Sequence, residues 1–141
     1  MIKVRVFAIG KNKHSWLEPG LQDYEKRLKG YMSIEWLFFK NDDDMLKAID
    51  KEKNIICLDP KGNIYTSEEF SLRIERLLSL NGASLTFCIG GSDGLPCAIK
   101  EQARELISLS KLTFTHQMTR LILVEQLYRA KEISEGNPYH K

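Results

Sequence analysis

The chain has 141 residues, of which 43% are hydrophobic and 28% charged, and its formal net charge is +2. That length fits one domain with a sizeable core, and the composition is ordinary for a soluble globular protein. A charge this near neutrality does not by itself call for nucleic acid. No apolar run approaches the roughly 18 residues that a membrane span needs.

The opening "MIKVRVFAIG" lacks the long apolar core and cleavage site of a signal peptide. Its alternation and β-branched residues predict a strand that ends at Gly10. "SWLEPGLQDYEKRLKGY" then predicts a helix, with Leu17, Leu21, Tyr24 and Leu28 on one face. Pro19 sits near its start, where proline is tolerated. "SIEWLFFK" predicts a second strand and "NDDDMLKAIDK" a short helix. Asp42, Asp43 and Asp44 favour the positive end of that helix dipole over a metal site, because neighbouring side chains on a helix diverge.

"NIICLD" predicts a buried strand and "PKGN" a turn. Thr66 and Glu69 have capping-box spacing ahead of the helix "SEEFSLRIERLLSL". "ASLTFCIGG" predicts the next buried strand, and "SDGLPCAIKEQARELISL" a glycine-rich turn running into a helix. "KLTFT" predicts a short last strand. "HQMTRLILVEQLYRAKEIS" predicts the final helix, with Leu121, Val124, Tyr128 and Lys131 on one stripe. Cys57, Cys88 and Cys97 form no CxxC pair; they are read as small buried hydrophobes in a reduced cytoplasm.

Strands and helices alternate throughout. The expectation is an α/β fold with a mostly parallel sheet and helices on both faces. Ligands of such sheets bind beyond the carboxyl ends of the strands. Three loops lie there: after Leu58, after Ile89, and around Lys111 to Thr115.

Four stretches carry candidate chemistry. In "CIGGSDGLP", Gly90, Gly91 and Gly94 follow a strand and precede a helix. The stretch fits a tight turn or a ligand loop equally, and it matches neither the dinucleotide nor the P-loop spacing. "LSLSKLTFTHQMTR" fits a loop wrapped around a small molecule, or an exposed connection in which Thr115 caps the last helix. His116, Arg120 and Arg129 fit a solvated basic face, with phosphate contacts as the functional alternative. The terminal "NPYHK" is a frayed end by default, yet Tyr139 offers a stacking ring and His140 a titratable imidazole.

Taken together, "IGGSDGL", "LSLSKLTFTHQMTRLILVEQLYRA" and a terminal "YHK" resemble the SPOUT-class ribosomal RNA large-subunit methyltransferase H family. "AIGK", "YEKRL" and "LDPKGNIYTSEEF" extend the resemblance over essentially the whole chain. Thr115 stands where many members carry proline, and residues 40–53 form a shorter segment than in many. The resemblance implies a single SPOUT methyltransferase domain over residues 1–141 with an α/β trefoil knot near its C-terminus. It also implies S-adenosyl-L-methionine as methyl donor, no metal, a homodimer, and methylation of N3 of a pseudouridine in 23S ribosomal RNA.

Carried over by position, the donor pocket would use Leu58, Gly90, Leu109, Ser110, Lys111, Leu112, Thr113 and Phe114. His140 is the candidate general base, or a cation such as Arg129 or Lys141 instead stabilises the deprotonated target base, and Tyr139 would stack on that base or hydrogen-bond it. Two competing expectations stay open on sequence. One is a non-catalytic RNA- or ribosome-binding module supported by Lys11, Lys13, Lys26, Arg27 and Lys29. The other is a different enzyme that holds a nucleotide in the glycine loop.

Overall fold

The structure is a computed structural model that describes residues 1–139. In chain order its elements are β1 (Ile2–Ile9), α1 (Leu17–Arg27), β2 (Met32–Phe39), α2 (Asp42–Ile49) and β3 (Ile55–Ile64). They continue with α3 (Ser67–Leu80), β4 (Ser84–Ile89), α4 (Cys97–Lys100), β5 (Glu105–Ser108) and α5 (His116–Ser134). The sheet order is β2-β1-β4-β3-β5, and every pairing is parallel. Each strand therefore points its carboxyl end to the same side.

Strand alternation sorts the core into two layers. Val4, Val6 and Ala8 of β1, with Leu85 and Phe87 of β4, face Leu17 and Leu21 of α1, Ile74 and Leu77 of α3, and Leu123 and Leu127 of α5. Phe7, Ile55, Cys57 and Cys88 face the other way, onto Met45 and Ile49 of α2 and Ile99 of α4. The helices start as their sequences require. Asn41 accepts from the Asp44 amide, Thr66 and Glu69 form a full capping box, and Thr115 accepts from the Met118 amide. Cys57 and Cys88 are buried and free, whereas Cys97 is exposed. No described group of three or more potential metal ligands occurs. Among the described residues no helix is long and apolar enough to cross a membrane.

Three local expectations need correction. The helix expected through "SDGLPCAIKEQARELISL" stops after Lys100, and its last residues form β5. "KLTFT" is not a strand but a loop. "ELIS" is too short for its period to separate strand from helix. Its ladder is decided from afar: Ile56 pairs with Glu105 and Leu58 with Ile107. "PKGN" is also more than a turn, because Asn63 and Ile64 pair with β5 again after a register shift. At that crossing a Cβ on Gly62 would lie 2.5 Å from the Leu106 carbonyl carbon, so only glycine lets the two backbones pass.

Glu105 locks this crossing. Its carboxylate accepts from the Tyr65 hydroxyl, from Arg73 Nε at 2.8 Å and from Asn63 Nδ2 at 3.5 Å. Burial pushes its pKa up, but these donors outweigh burial and hold it below the usual carboxylate range. A depressed folded pKa gives stability that is complete above the unfolded value and lost as pH falls through the folded one. Glu105→Gln should therefore cost about 2 kcal/mol at neutral pH. Its melting temperature should converge on that of the parent protein on acidification below the carboxylate range. A gap that stays constant down to the acid end would contradict this assignment.

Candidate active site

The carboxyl ends of β3, β4 and β5 open into a cavity of about 860 Å³. Three loops build it. At the register shift inside β3, Leu58 to Lys61 line one wall; after β4, Gly90 to Leu95 line another; after β5, Leu109, Ser110 and Leu112 to Thr115 line the third. Of the eight donor-pocket residues expected from sequence, seven line the cavity: Leu58, Gly90, Leu109, Ser110, Leu112, Thr113 and Phe114. Lys111 lies in the same loop but is exposed and off the wall.

Local chemistry explains each wall. Gly90 rests on the chain it precedes: a Cβ there would lie 2.4 Å from the Gly94 carbonyl carbon and 2.6 Å from the Leu95 nitrogen. The third loop is held by its own serines. Ser108 Oγ donates to the Ser110 carbonyl at 2.8 Å, and Ser110 Oγ accepts from the Leu112 amide at 3.0 Å. This leaves Leu112 73% and Phe114 39% exposed at the cavity. Apolar side chains held open in water on a polar loop suit a flat apolar ligand group such as a purine.

Sequence reasoning missed several wall residues. Lys100 Nζ meets Asp59 Oδ1 at 3.5 Å, and Asp59 Oδ2 also accepts from the Lys61 amide at 3.0 Å. His14 and His116 face the cavity from the segment between β1 and α1 and from the start of α5. Gln117 joins these two elements by accepting from the Lys13 amide at 3.0 Å and donating to the Lys11 carbonyl at 3.2 Å. The only signal in the sequence was the His–x–x–x–Arg spacing of His116 and Arg120, which located one side of the contact.

Arg120 corrects the expected solvated basic face. It is fully buried, and its guanidinium donates to the Ile9 carbonyl at 2.7 Å and to Asn12 Oδ1 at 2.8 Å. Among the described residues no carboxylate pairs with it, and Phe38 lies 5.7 Å beneath it. Burial lowers its pKa to about 10, so it stays cationic at neutral pH. The core stripe of α5 is rotated accordingly: Gln117, Arg120, Leu123, Val124, Leu127 and Ala130 are buried, while Leu121, Tyr128 and Lys131 are only half-buried.

The residues expected to act on the target base lie elsewhere. His140 and Lys141 fall outside the described residues. Tyr139 packs edge-on against Tyr128, 4.8 Å between centroids, with the Arg129 guanidinium 5.0 Å from its ring. Burial, then its hydrogen bond with Tyr24, pushes the Tyr139 phenol up to about 12. Arg129 is 2.6 Å from Glu125, which holds its charge and raises its pKa. About 20 Å of α5 separates Arg129 from His116. Neither Tyr139 nor Arg129 lines the cavity of its own chain.

Known proteins share this architecture. A probable methylase family protein from Haemophilus influenzae Rd KW20 superposes with a TM-score of 0.61 over 98% of this chain and 70% of that one, at 11% identity. A putative methylase family protein from Neisseria gonorrhoeae gives 0.52 over 98% and 86%, at 12% identity. In sequence, the chain is 48% identical to the ribosomal RNA large subunit methyltransferase H of Protochlamydia amoebophila, over 100% of both chains. It is 42% identical to the protein of that name from Prochlorococcus marinus strain SARG, over 99% of this chain and 96% of the relative. The family model described as "Predicted SPOUT methyltransferase" matches residues 2–140. With an all-parallel sheet and a family match over residues 2–140, the chain belongs to the SPOUT methyltransferase family, which implies its trefoil-knotted α/β fold.

Proposed function

We propose that this methyltransferase transfers the methyl group of S-adenosyl-L-methionine to N3 of a pseudouridine in large-subunit ribosomal RNA. The observation that carries the reading is the cavity beyond β3, β4 and β5, in a chain that matches ribosomal RNA large subunit methyltransferase H proteins over their whole length. SPOUT methyltransferases use that donor. The walls fit it. Leu58, Leu112 and Phe114 offer apolar surface to adenine, the bare Gly90 backbone permits close approach, and the polar groups of Asp59 and Lys100 match a zwitterionic amino acid. When bound, the sulfonium supplies an activated methyl group for in-line displacement.

The chain itself contributes position and proton handling. The three loops orient the donor, which is where most of the rate enhancement of such a displacement arises. His140 takes the N3 proton, Tyr139 stacks on the target base, and Arg129 supports the charge that develops there. With Tyr139 and Arg129 some 20 Å along α5 from the cavity wall, these roles require a homodimer. In it, the tail of one subunit holds the target base against the donor cavity of the other. Residues 1–141 act as one domain, in the cytoplasm.

A net charge of +2 allows few phosphate contacts and weak binding to naked RNA. The substrate is therefore a shaped target, the assembled ribosome or large subunit. Methyl transfer to ribosomes should exceed transfer to deproteinised ribosomal RNA by at least about 100-fold at physiological salt. Equal rates would refute the ribosomal substrate.

A further inference from the structure

The wall contributed by α5 and the β1–α1 segment holds a group of nitrogen donors that the reading above leaves unused. His14 and His116 both line the cavity. Lys13 and His14 on one element, and Arg120 one turn along α5, lie close enough to His116 to act on its charge. Among the described residues no acidic side chain of α5 or of the β1–α1 segment lines the cavity, whose carboxylates, Asp59 and Asp93, belong to the other two walls; Glu18 accepts from Asn12 Nδ2 at 2.6 Å, and Asn12 in turn accepts from Arg120. The wall is rigidly tied, because Gln117 and Arg120 together hold Ile9, Lys11, Asn12 and Lys13. His116 Nδ1 is buried without a partner. Desolvation first, then Arg120, Lys13 and His14, push its pKa down, so it is a neutral imidazole at physiological pH.

A pseudouridine N3–H lies between two ring carbonyls. When that bond breaks, the electron pair stays on N3 and its charge spreads over both carbonyl oxygens. The N3–CH3 bond then forms, the S–CH3 pair remains on sulfur, and the proton passes through the general base to water. Stabilising the carbonyl oxygens therefore lowers the cost of removing the proton. We propose that His14 and His116 form the subsite for the carbonyl edge of the target base and stabilise the charge that spreads onto it. Lys13 and the buried Arg120 set the positive potential of this subsite. The inference rests on the methyl-transfer reading of the site and adds acceptor-side residues from the same chain as the donor cavity.

The test compares His14→Ala, His116→Ala and His116→Asn with the parent dimer. Affinity for S-adenosyl-L-methionine is read by calorimetry, and single-turnover methyl transfer to ribosomes is read across a pH series. Donor affinity should stay within a few-fold of the parent, and the His116→Ala rate at neutral pH should fall on the order of 100-fold. That deficit should shrink as pH rises, because the variant's rate climbs about tenfold per pH unit as the imide ionises without help. His116→Asn, which keeps an N–H donor, should recover part of the rate. A deficit equal at every pH, no deficit at all, or a collapse of donor affinity would each overturn the subsite. An inactive parent enzyme on ribosomes would remove the methyl-transfer reading and this inference with it. An active parent with unimpaired variants would remove this inference alone.

Discussion

Deleting Tyr139 to Lys141 is expected to lower methyl transfer at least about 100-fold while leaving the fold and donor affinity in place. Tyr139, the described residue of this tail, rests on Tyr128 and under Arg129 of its own subunit. Losing this edge-on contact, the Arg129 contact and the hydrogen bond with Tyr24 costs about 2 kcal/mol, a minor part of a domain's stability. The donor cavity lies at the other end of α5 and has no wall from the tail among the described residues. Donor binding measured by calorimetry should therefore match the full chain. Mixing the truncated protein with a variant disabled in the cavity makes the prediction sharper. Heterodimers would hold one intact cavity and one intact tail, on opposite subunits, and should regain activity. Failure of the mixture to recover would place tail and cavity on the same subunit, and full activity of the truncation would make the tail a loose end.

Gly90→Ala is the natural cavity-disabling partner, and its own effect is expected to be large. The new Cβ would sit 2.4 Å from backbone, which no side-chain rotation relieves. The glycine loop must shift as a whole, at a cost of about 3 kcal/mol in stability. The donor dissociation constant should rise at least about 100-fold, because the displaced loop forms a wall of the cavity. Gly91→Ala is the matched control. Its Cβ would meet only the Ile9 side chain, Cγ2 at 3.4 Å and Cβ at 3.7 Å, so affinity should change by a few-fold at most. Similar losses in both variants would mean that the loop tolerates no side chain anywhere and that the Gly90 crossing is not special.

The limits of the sequence reading follow the range of the interactions involved. α3 and α5 begin where their residues predict, because Thr66, Glu69 and Thr115 satisfy amides within one turn. The cavity walls after Leu58 and after Ile89 were legible from alternation, since a parallel sheet places its carboxyl ends together, whereas the third wall fell partly on "KLTFT", which the pattern predicts as a strand. β5 was not legible. Glu105 sits in a strand because Tyr65 and Arg73, far earlier in the chain, satisfy its carboxylate there. Arg120 fails for the same reason: an arginine predicts water until the Ile9 carbonyl and Asn12 are known to reach it. His14, Asp59 and Lys100 join the site only through tertiary contacts that no local pattern carries. The seven cavity residues came from resemblance to a family, as did the knot, which no local pattern encodes.

Every step of this account depends on what occupies the cavity beyond β3, β4 and β5. Calorimetric titration of the intact protein with S-adenosyl-L-methionine, ATP and NAD in parallel tests that directly. The account predicts saturable binding of S-adenosyl-L-methionine at up to one site per subunit, lost in Gly90→Ala, with no comparable heat from ATP or NAD. Preferential binding of ATP or NAD, or no binding of S-adenosyl-L-methionine by the intact protein, would contradict it.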